Sequence, residues 1–533
     1  MMITNLCKIS NTYPMIFRGL RGLTRKKEQV SFATIEKQSS REFELVEEHI
    51  KDVSPLESLP VRNSPDSGDK KSYRRNSSVN CTPKSNRRVE DEESSKTYRT
   101  FRQQVKHLKK QCSLAQVTVE NQHEMVKNAV TMFHHLPYEE QLQLKEGKHQ
   151  EFISKLQNFK DIRHQINTNS IIDIIPSPIK ERYRNKDCMS VGLDVEGRLT
   201  IGFHVGGRSQ GVVTVSPDNI DIIREDHKLV AAIYTNFLAT IPRDHISMYL
   251  GEQGWTGGNW SEIMIRSNYK DEIMINVGYF TNDGNNKDFE AEAENLINKM
   301  LASGLPIASI YIREIDKNGV KKSKLIYGSE FIIERIGNIQ MSLGPETFCQ
   351  GNSLVAEKLI EVVQNRISSG YDKTLLDLCC GSGMFGLQLS KYFRGVIGID
   401  MEDTRYAMRN VKMNNITNCS YKTEKVQTLL PKLFNDLRVQ GAAVSAVLNP
   451  GRSGIHHNVM VAIRRFPLLK SLVYVSCQPE DKRVVDNIKI LLGPDRKDCP
   501  VKLRTTPFRL TSSGALDMFP HTHHCEHVLV FKR

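Results

Sequence analysis

The chain has 533 residues, enough for two or three domains with full cores. Its 74 Lys and Arg against 61 Asp and Glu give a net charge of +13, which favours a polyanionic partner. No run approaches the roughly 18 to 20 apolar residues of a membrane-spanning helix. The eleven cysteines contain no C-x-x-C pair, which excludes the common zinc and iron–sulfur spacings and suits free thiols in a reduced compartment.

Residues 1–27 carry Lys8, Arg18, Arg21, Arg25, Lys26 and Lys27 and no acid, with Ile16, Phe17, Leu20 and Leu23 interleaved at helical spacing. This is the pattern of a mitochondrial presequence, a transit peptide assigned to 1–28, and it implies a location in the mitochondrial matrix. The plainer reading is a disordered basic tail. Residues 29–98 are polar and aperiodic, as in a disordered linker. Helical patterning fills 99–182. There, Pro137 followed by Glu139 and Glu140 marks the start of a helix running to about Phe159.

Strand patterns dominate 183–345. Met189 to Val205 alternates around Glu196-Gly197, a hairpin signal. Two further hairpins are expected, across Tyr269-Lys270-Asp271 and across Lys317-Asn318-Gly319, with a helix from Phe289 to Leu301 between them. This predicts an α+β antiparallel domain placed for RNA recognition, with Arg184, Lys186 and Arg208 as phosphate contacts.

Residues 346–533 read as an α/β domain. An apolar run ends at Asp377. Gly381, Gly383 and Gly386 follow, then a helix, then a second apolar strand closed by Asp400. This is strand, glycine loop, helix, strand, acid, in which the acid suits a ribose diol. Apolar strands also deliver Asn449-Pro450-Gly451-Arg452 and Ser476-Cys477-Gln478-Pro479, and a last strand covers His527 to Phe531. Parallel strands present their carboxyl ends together, so Asp377, Asp400, Asn449 and Cys477 are expected on one edge, where ligands of open α/β sheets bind. The G-x-G-x-x-G match alone would equally fit another nucleotide-binding βαβ unit.

A cysteine on that edge points to a reaction that needs a thiol. Carbon-5 of a pyrimidine is a poor nucleophile. A thiolate adding to carbon-6 makes an enolate that attacks a methyl donor at carbon-5, and a base must then remove the carbon-5 proton. Glu526, directly before the last strand, supplies a carboxylate for that role. On its own, Cys477 would read as a packed thiol and Glu526 as a surface acid. His521, His523 and His524 are too crowded in one loop for ligand geometry.

Together these stretches resemble the RNA uracil-5 methyltransferases. Phe348-Cys349-Gln350-Gly351-Asn352 is similar to the family's F-x-Q-x-N element. The stretch from Asp377 to Gly383 resembles motif I of class I S-adenosylmethionine (SAM) methyltransferases. Asn449-Pro450-Gly451-Arg452 stands where the family has D-P-P-R. Val475-Ser476-Cys477-Gln478-Pro479 resembles the nucleophile motif and His524-Cys525-Glu526 the base motif, while Tyr183-Arg184-Asn185-Lys186 resembles an upstream element. The likeness covers about 130 to 533 and is greatest to the mitochondrial eukaryotic form.

The resemblance implies a class I SAM-methyltransferase Rossmann-like sheet preceded by the α+β domain. It implies SAM as cofactor, held by Gln350, Cys379, Met384, Asp400 and Asn449, with Cys477 as nucleophile and Glu526 as base. The implied substrate is tRNA, at the ribothymidine of position 54, with mitochondrial rRNA as a further substrate. No metal, iron–sulfur cluster or membrane partner is expected, and the enzyme is expected to act as a monomer. Two departures stand out. Asn449 replaces an Asp, keeping shape but losing charge, and Gly451 replaces a Pro, loosening its loop. They motivate a non-catalytic RNA-binding protein on a decayed methyltransferase fold as one alternative. An RNA cytosine-5 methyltransferase is the other, against which stands the lack of a second Pro-Cys element.

Overall fold

The computed structural model describes residues 116–533 apart from 168–170, 207–210, 251–253, 282–287 and 495–504. The proposed presequence and linker, the start of the helical stretch, and Arg208 lie outside the described residues.

The catalytic half is built on an eight-stranded sheet in the order β1-β16-β17-β15-β14-β11-β12-β13. The strands are β1 (Ile171–Ile175), β11 (Gly370–Leu378), β12 (Phe393–Asp400), β13 (Cys419–Thr423), β14 (Ala443–Leu448), β15 (Leu469–Ser476), β16 (Arg509–Leu516) and β17 (Glu526–Lys532). Strands β11 to β15 run parallel, and β17 runs antiparallel between β15 and β16. The parallel centre is apolar on both faces, as Leu375, Leu376 and Leu378 show, because helices cover both sides. One apolar cluster gathers Phe152, Leu376, Leu430 and Ile463 on one face, and another gathers Leu375, Val396, Val473 and Val528 on the other.

The sequence places a helical region at 99–182, and its helices α1 (Gln122–Val130) and α2 (Tyr138–Gln157) are present. The same stretch also carries β1, which pairs in parallel with β16, Ile171 opposite Ser513. Five residues, Ile-Ile-Asp-Ile-Ile, are too short to separate strand from helix by period alone.

The recognition half is a seven-stranded sheet in the order β4-β3-β2-β5-β6-β7-β8. Its strands are β2 (Lys186–Leu193), β3 (Leu199–Val205), β4 (Val213–Val215), β5 (Trp260–Ser267), β6 (Ile273–Phe280), β7 (Ile307–Ile315) and β8 (Lys321–Gly328). Helices α3 (Glu225–Leu238) and α4 (Phe289–Ala302) contribute Val230, Tyr234, Leu296 and Met300 to the core beneath it. All three expected hairpins form. The expectation of a wholly antiparallel sheet is corrected at one pair: β6 and β7 run parallel, Ile275 opposite Ile310, because α4 lies between them as a crossover. The hairpin β9 (Ile332–Ile336) and β10 (Ile339–Leu343) forms its own two-stranded sheet. Its Ile332, Ile336, Met341 and Leu343 join the apolar cluster of the catalytic core, which Met274 of β6 and Tyr311 of β7 also enter.

Candidate active site

Each expected strand end lies on the carboxyl edge of the parallel strands. The strand order reverses on either side of β11, so its carboxyl end, beside that of β14, is the topological switch point where such sheets bind ligands. At Gly381 the backbone takes φ +51° with open space where a side chain would stand, which leaves the loop accessible to a ligand. At Gly386, the first turn of α6 (Met384–Leu389) lies so close to the sheet that a Cβ would sit 2.6 Å from Tyr421 Oη.

The loop is tied to both acids. Asp400 accepts hydrogen bonds from Gly381 N at 2.8 Å through Oδ2 and from Glu402 N at 2.9 Å through Oδ1. A carboxylate has lone pairs for about four donors, so capacity remains for two ribose hydroxyls. Asp377 is fully buried and accepts Gly386 N at 2.8 Å through Oδ2, while Oδ1 has no protein partner. Burial, with Asp400 nearby, pushes its carboxyl up to about 7. Cys379 turns the chain with φ 59°, and burial pushes its thiol up to about 12. Met384 packs in the apolar cluster under the loop, so its side chain serves the core.

Gln350 is positioned from the recognition half. Asn185 Nδ2 donates to Gln350 O at 2.8 Å and to Ser353 Oγ at 3.0 Å. Arg266, buried in β5, donates to Gly344 O at 2.8 Å and to Thr347 O. Asn352 is the N-cap of α5 (Ser353–Arg366), its Oδ1 accepting Val355 N at 3.2 Å. The Tyr183–Lys186 stretch is therefore a clasp between the two halves. The phosphate role expected for Arg184 is corrected: its Nε is 2.5 Å from Asp187 Oδ1, and Asp187 is held in turn by His227 at 2.7 Å.

Beside the loop is a cavity of about 670 Å³ lined by Phe348, Gly381 and Ser382 of the catalytic half and Tyr311, Ser323 and Leu325 of the recognition half. That volume suits one small-molecule ligand. Glu330, Glu346, Glu402 and Asp403 line it together with Arg405. Arg405 pairs with Asp403 and Arg409 with Glu330, so among the described residues Glu346 and Glu402 are the lining carboxylates without an ion pair, and the wall stays net negative. Such a wall repels phosphates and favours a cationic, phosphate-free ligand.

Cys477 and Glu526 are brought together by the antiparallel insertion of β17. Ser476 pairs with His527, which sets Cys477, the residue after β15, level with Glu526 at the start of β17. Glu526 is 5 % exposed, and burial pushes its carboxyl up to about 8. Burial also raises the half-buried Cys477 thiol, and Glu526 raises it further, while Arg452 and Lys148 act in the opposite direction. Asn449 closes β14 on the neighbouring strand, its N–H donating to Leu378 O at 3.2 Å. Lys148, on α2, is a residue that sequence reasoning missed, since a lysine on a helix reads as a solvated face. His521, by contrast, is engaged inside the protein, its N–H donating to Gln141 Oε1 at 2.8 Å.

Seven strands running one way with the antiparallel β17 inserted between β15 and β16, and a glycine loop closed by an acid on the next strand, define a class I methyltransferase. Comparison with known proteins narrows this. The family model described as tRNA (Uracil-5-)-methyltransferase matches residues 246–533. The chain is 30% identical over 433 residues to the zebrafish (Danio rerio) tRNA (uracil-5-)-methyltransferase homolog B, covering 77% of this chain and 87% of that one. It is 28% identical to the human homolog A over 76% of this chain and 67% of the relative. The solved Pyrococcus abyssi tRNA (uracil-54, C5)-methyltransferase, in complex with S-adenosyl-L-homocysteine, superposes with a TM-score of 0.52 at 23% identity, over 75% of this chain and 84% of that one. The chain belongs to the tRNA (uracil-5-)-methyltransferase family.

Proposed function

We propose that the protein methylates carbon-5 of uracil in tRNA, at the ribothymidine of position 54, using SAM, Cys477 and Glu526. The observation that carries this reading is the pairing of Ser476 with His527, which sets a thiol level with a buried carboxyl at the ligand edge of the sheet. The acid-lined cavity and the free acceptor capacity of Asp400 fit a sulfonium amino acid with a ribose. Gln350, Cys379, Asp400 and Asn449 would hold it by side chain or backbone, with Met384 supporting the loop from below. When bound, SAM supplies an electrophilic methyl group.

The Cys477 thiolate adds to carbon-6 of a uracil extruded into the pocket. Arg452 and Lys148 favour that thiolate against burial and against Glu526. The electron pair released to carbon-5 forms the new carbon–methyl bond. Glu526, as carboxylate, then takes the carbon-5 proton, the double bond re-forms, and the thiolate leaves carbon-6. Mitochondrial rRNA is proposed as a further substrate and the mitochondrial matrix as the location, on the strength of the acid-free, cationic residues 1–27.

The test is methyl transfer from labelled SAM to unmodified tRNA, followed by nucleoside analysis. Label in 5-methyluridine that is lost in Cys477→Ala is expected. Label in 5-methylcytidine would replace the reading with cytosine-5 methylation, and tRNA binding without label would replace it with a non-catalytic role. A reporter fused to residues 1–40 is expected in mitochondria, and cytosolic retention would refute that location.

A further inference from the structure

We propose that Lys145 and Gln141 are positioning residues for the Glu526 base, acting through the β16–β17 loop 517–525; this rests on the reading of Glu526 above. Among the described residues, no ion pair or hydrogen bond to the Glu526 carboxyl is found, so its place is set by the backbone that carries it. That backbone is held from α2. Lys145 Nζ is 2.5 Å from Asp517 Oδ1 and donates to Phe519 O at 3.0 Å. Gln141 accepts His521 N at 2.8 Å, and its Nε2 is 3.1 Å from His521 Nδ1. Two more α2 residues continue the row: Lys148 Nζ donates to His523 O at 3.5 Å, and His149 Nδ1 is 2.8 Å from His527 Nδ1.

These four residues stand at i, i+4, i+7 and i+8, one face of a helix. They hold the loop at alternate positions from Asp517 to His523, and then β17 at His527, the residue after Glu526. The first grip is at a telling place: Asp517 directly follows Leu516, and Leu516 pairs with Glu526 across the ladder. Lys145 and Asp517 are 1% and 0% exposed. A buried ion pair adds little net stability, because desolvation offsets the attraction, and it is best accounted for where it fixes a register. Here the register is that of β17 against β16, and Glu526 is the first residue in it.

The experiment uses the full chain, unmodified tRNA and labelled SAM. It measures 5-methyluridine formation together with covalent protein–RNA adduct on a denaturing gel. A misplaced base slows proton removal but leaves thiol addition and methyl transfer intact. Lys145→Met is therefore expected to lose roughly 10- to 100-fold in turnover while adduct accumulates toward the level of Glu526→Gln. Gln141→Leu strands no buried charge, and it gives the same signature in weaker form should Lys145→Met fail to fold. If adduct and turnover fall in parallel, or turnover is unchanged, the clamp is structural only and the proposal is overturned. Adduct in Glu526→Gln but in neither clamp variant refutes the clamp alone. Adduct in none of the three refutes Glu526 as base, and the clamp with it.

Discussion

Replacing Glu526 by Gln should stabilise the protein while disabling it, and the gain should grow with pH. In the fold, burial pushes the carboxyl from its ordinary 4.5 to about 8. An acid whose pKa rises on folding binds its proton more tightly when folded, so protons favour folding. The protein carries no penalty from this group below about 4.5 and an increasing one as pH climbs to about 8. At about 1.4 kcal/mol per pKa unit, the penalty is under about 1 kcal/mol at pH 5, about 3 at pH 7 and about 4 at pH 8. Glutamine has the same shape and no charge to bury, so Glu526→Gln removes this cost. In thermal melts, the variant is expected to match the parent at pH 5 and to exceed it by roughly 5 °C at pH 7 and more at pH 8. Equal midpoints at all three values, or a shift independent of pH, would refute a carboxyl held in a low-dielectric pocket. A gain in stability at a residue whose loss stops turnover is what a strained functional group predicts.

Three further outcomes follow from the same geometry. Cys477→Ala should abolish methyl transfer and any covalent RNA adduct while tRNA affinity in a filter-binding assay stays within about twofold, since only the sulfur is lost; residual adduct would remove Cys477 as nucleophile. Arg452→Leu removes a cation that favours the Cys477 thiolate, so the alkaline rise of adduct formation with pH should move upward; an unmoved profile would place Arg452 outside the reach of the thiol. Gly386→Ala puts a methyl 2.6 Å from Tyr421 Oη and 2.9 Å from Asp377 Oδ2, so it should cost about 1–3 kcal/mol by overpacking and weaken SAM binding by displacing the loop. An unchanged melting midpoint would contradict that packing.

Much of the site was legible because strand ends punctuate sequence. Asp377, Asp400, Asn449 and Cys477 each close an apolar run, and parallel topology alone gathers them on one edge. The hairpins announced themselves through Glu196-Gly197 and Asn318-Gly319, turns that need left-handed backbone. What stayed hidden is tertiary. Lys145 and Gln141 sit on a helix among Glu and Lys residues, where a lysine is ordinarily solvated, and only the arrival of Asp517 from the far end of the chain reverses that expectation. Arg184 looked like a phosphate ligand because its carboxylate partner, three residues away, gives no sign in sequence of being buried. The parallel β6–β7 pair was missed although its crossover helix was foreseen, since two hairpins flanking a helix suggest separate ribbons until the strands are seen side by side.

The pairing of β1 with β16 has a consequence for biogenesis. Ile171 leaves the ribosome long before Ser513, the residue it must lie against. The recognition half, by contrast, is complete once β8 has been made. The catalytic sheet cannot close until translation is nearly finished, and meanwhile α2 holds out Phe152, Ile153 and Leu156 with nothing to cover them. Such long-range closure is slow and leaves sticky surface exposed. Wherever the chain folds, its catalytic half is therefore expected to wait for β16 and β17, with the apolar face of α2 as the surface at risk until they arrive.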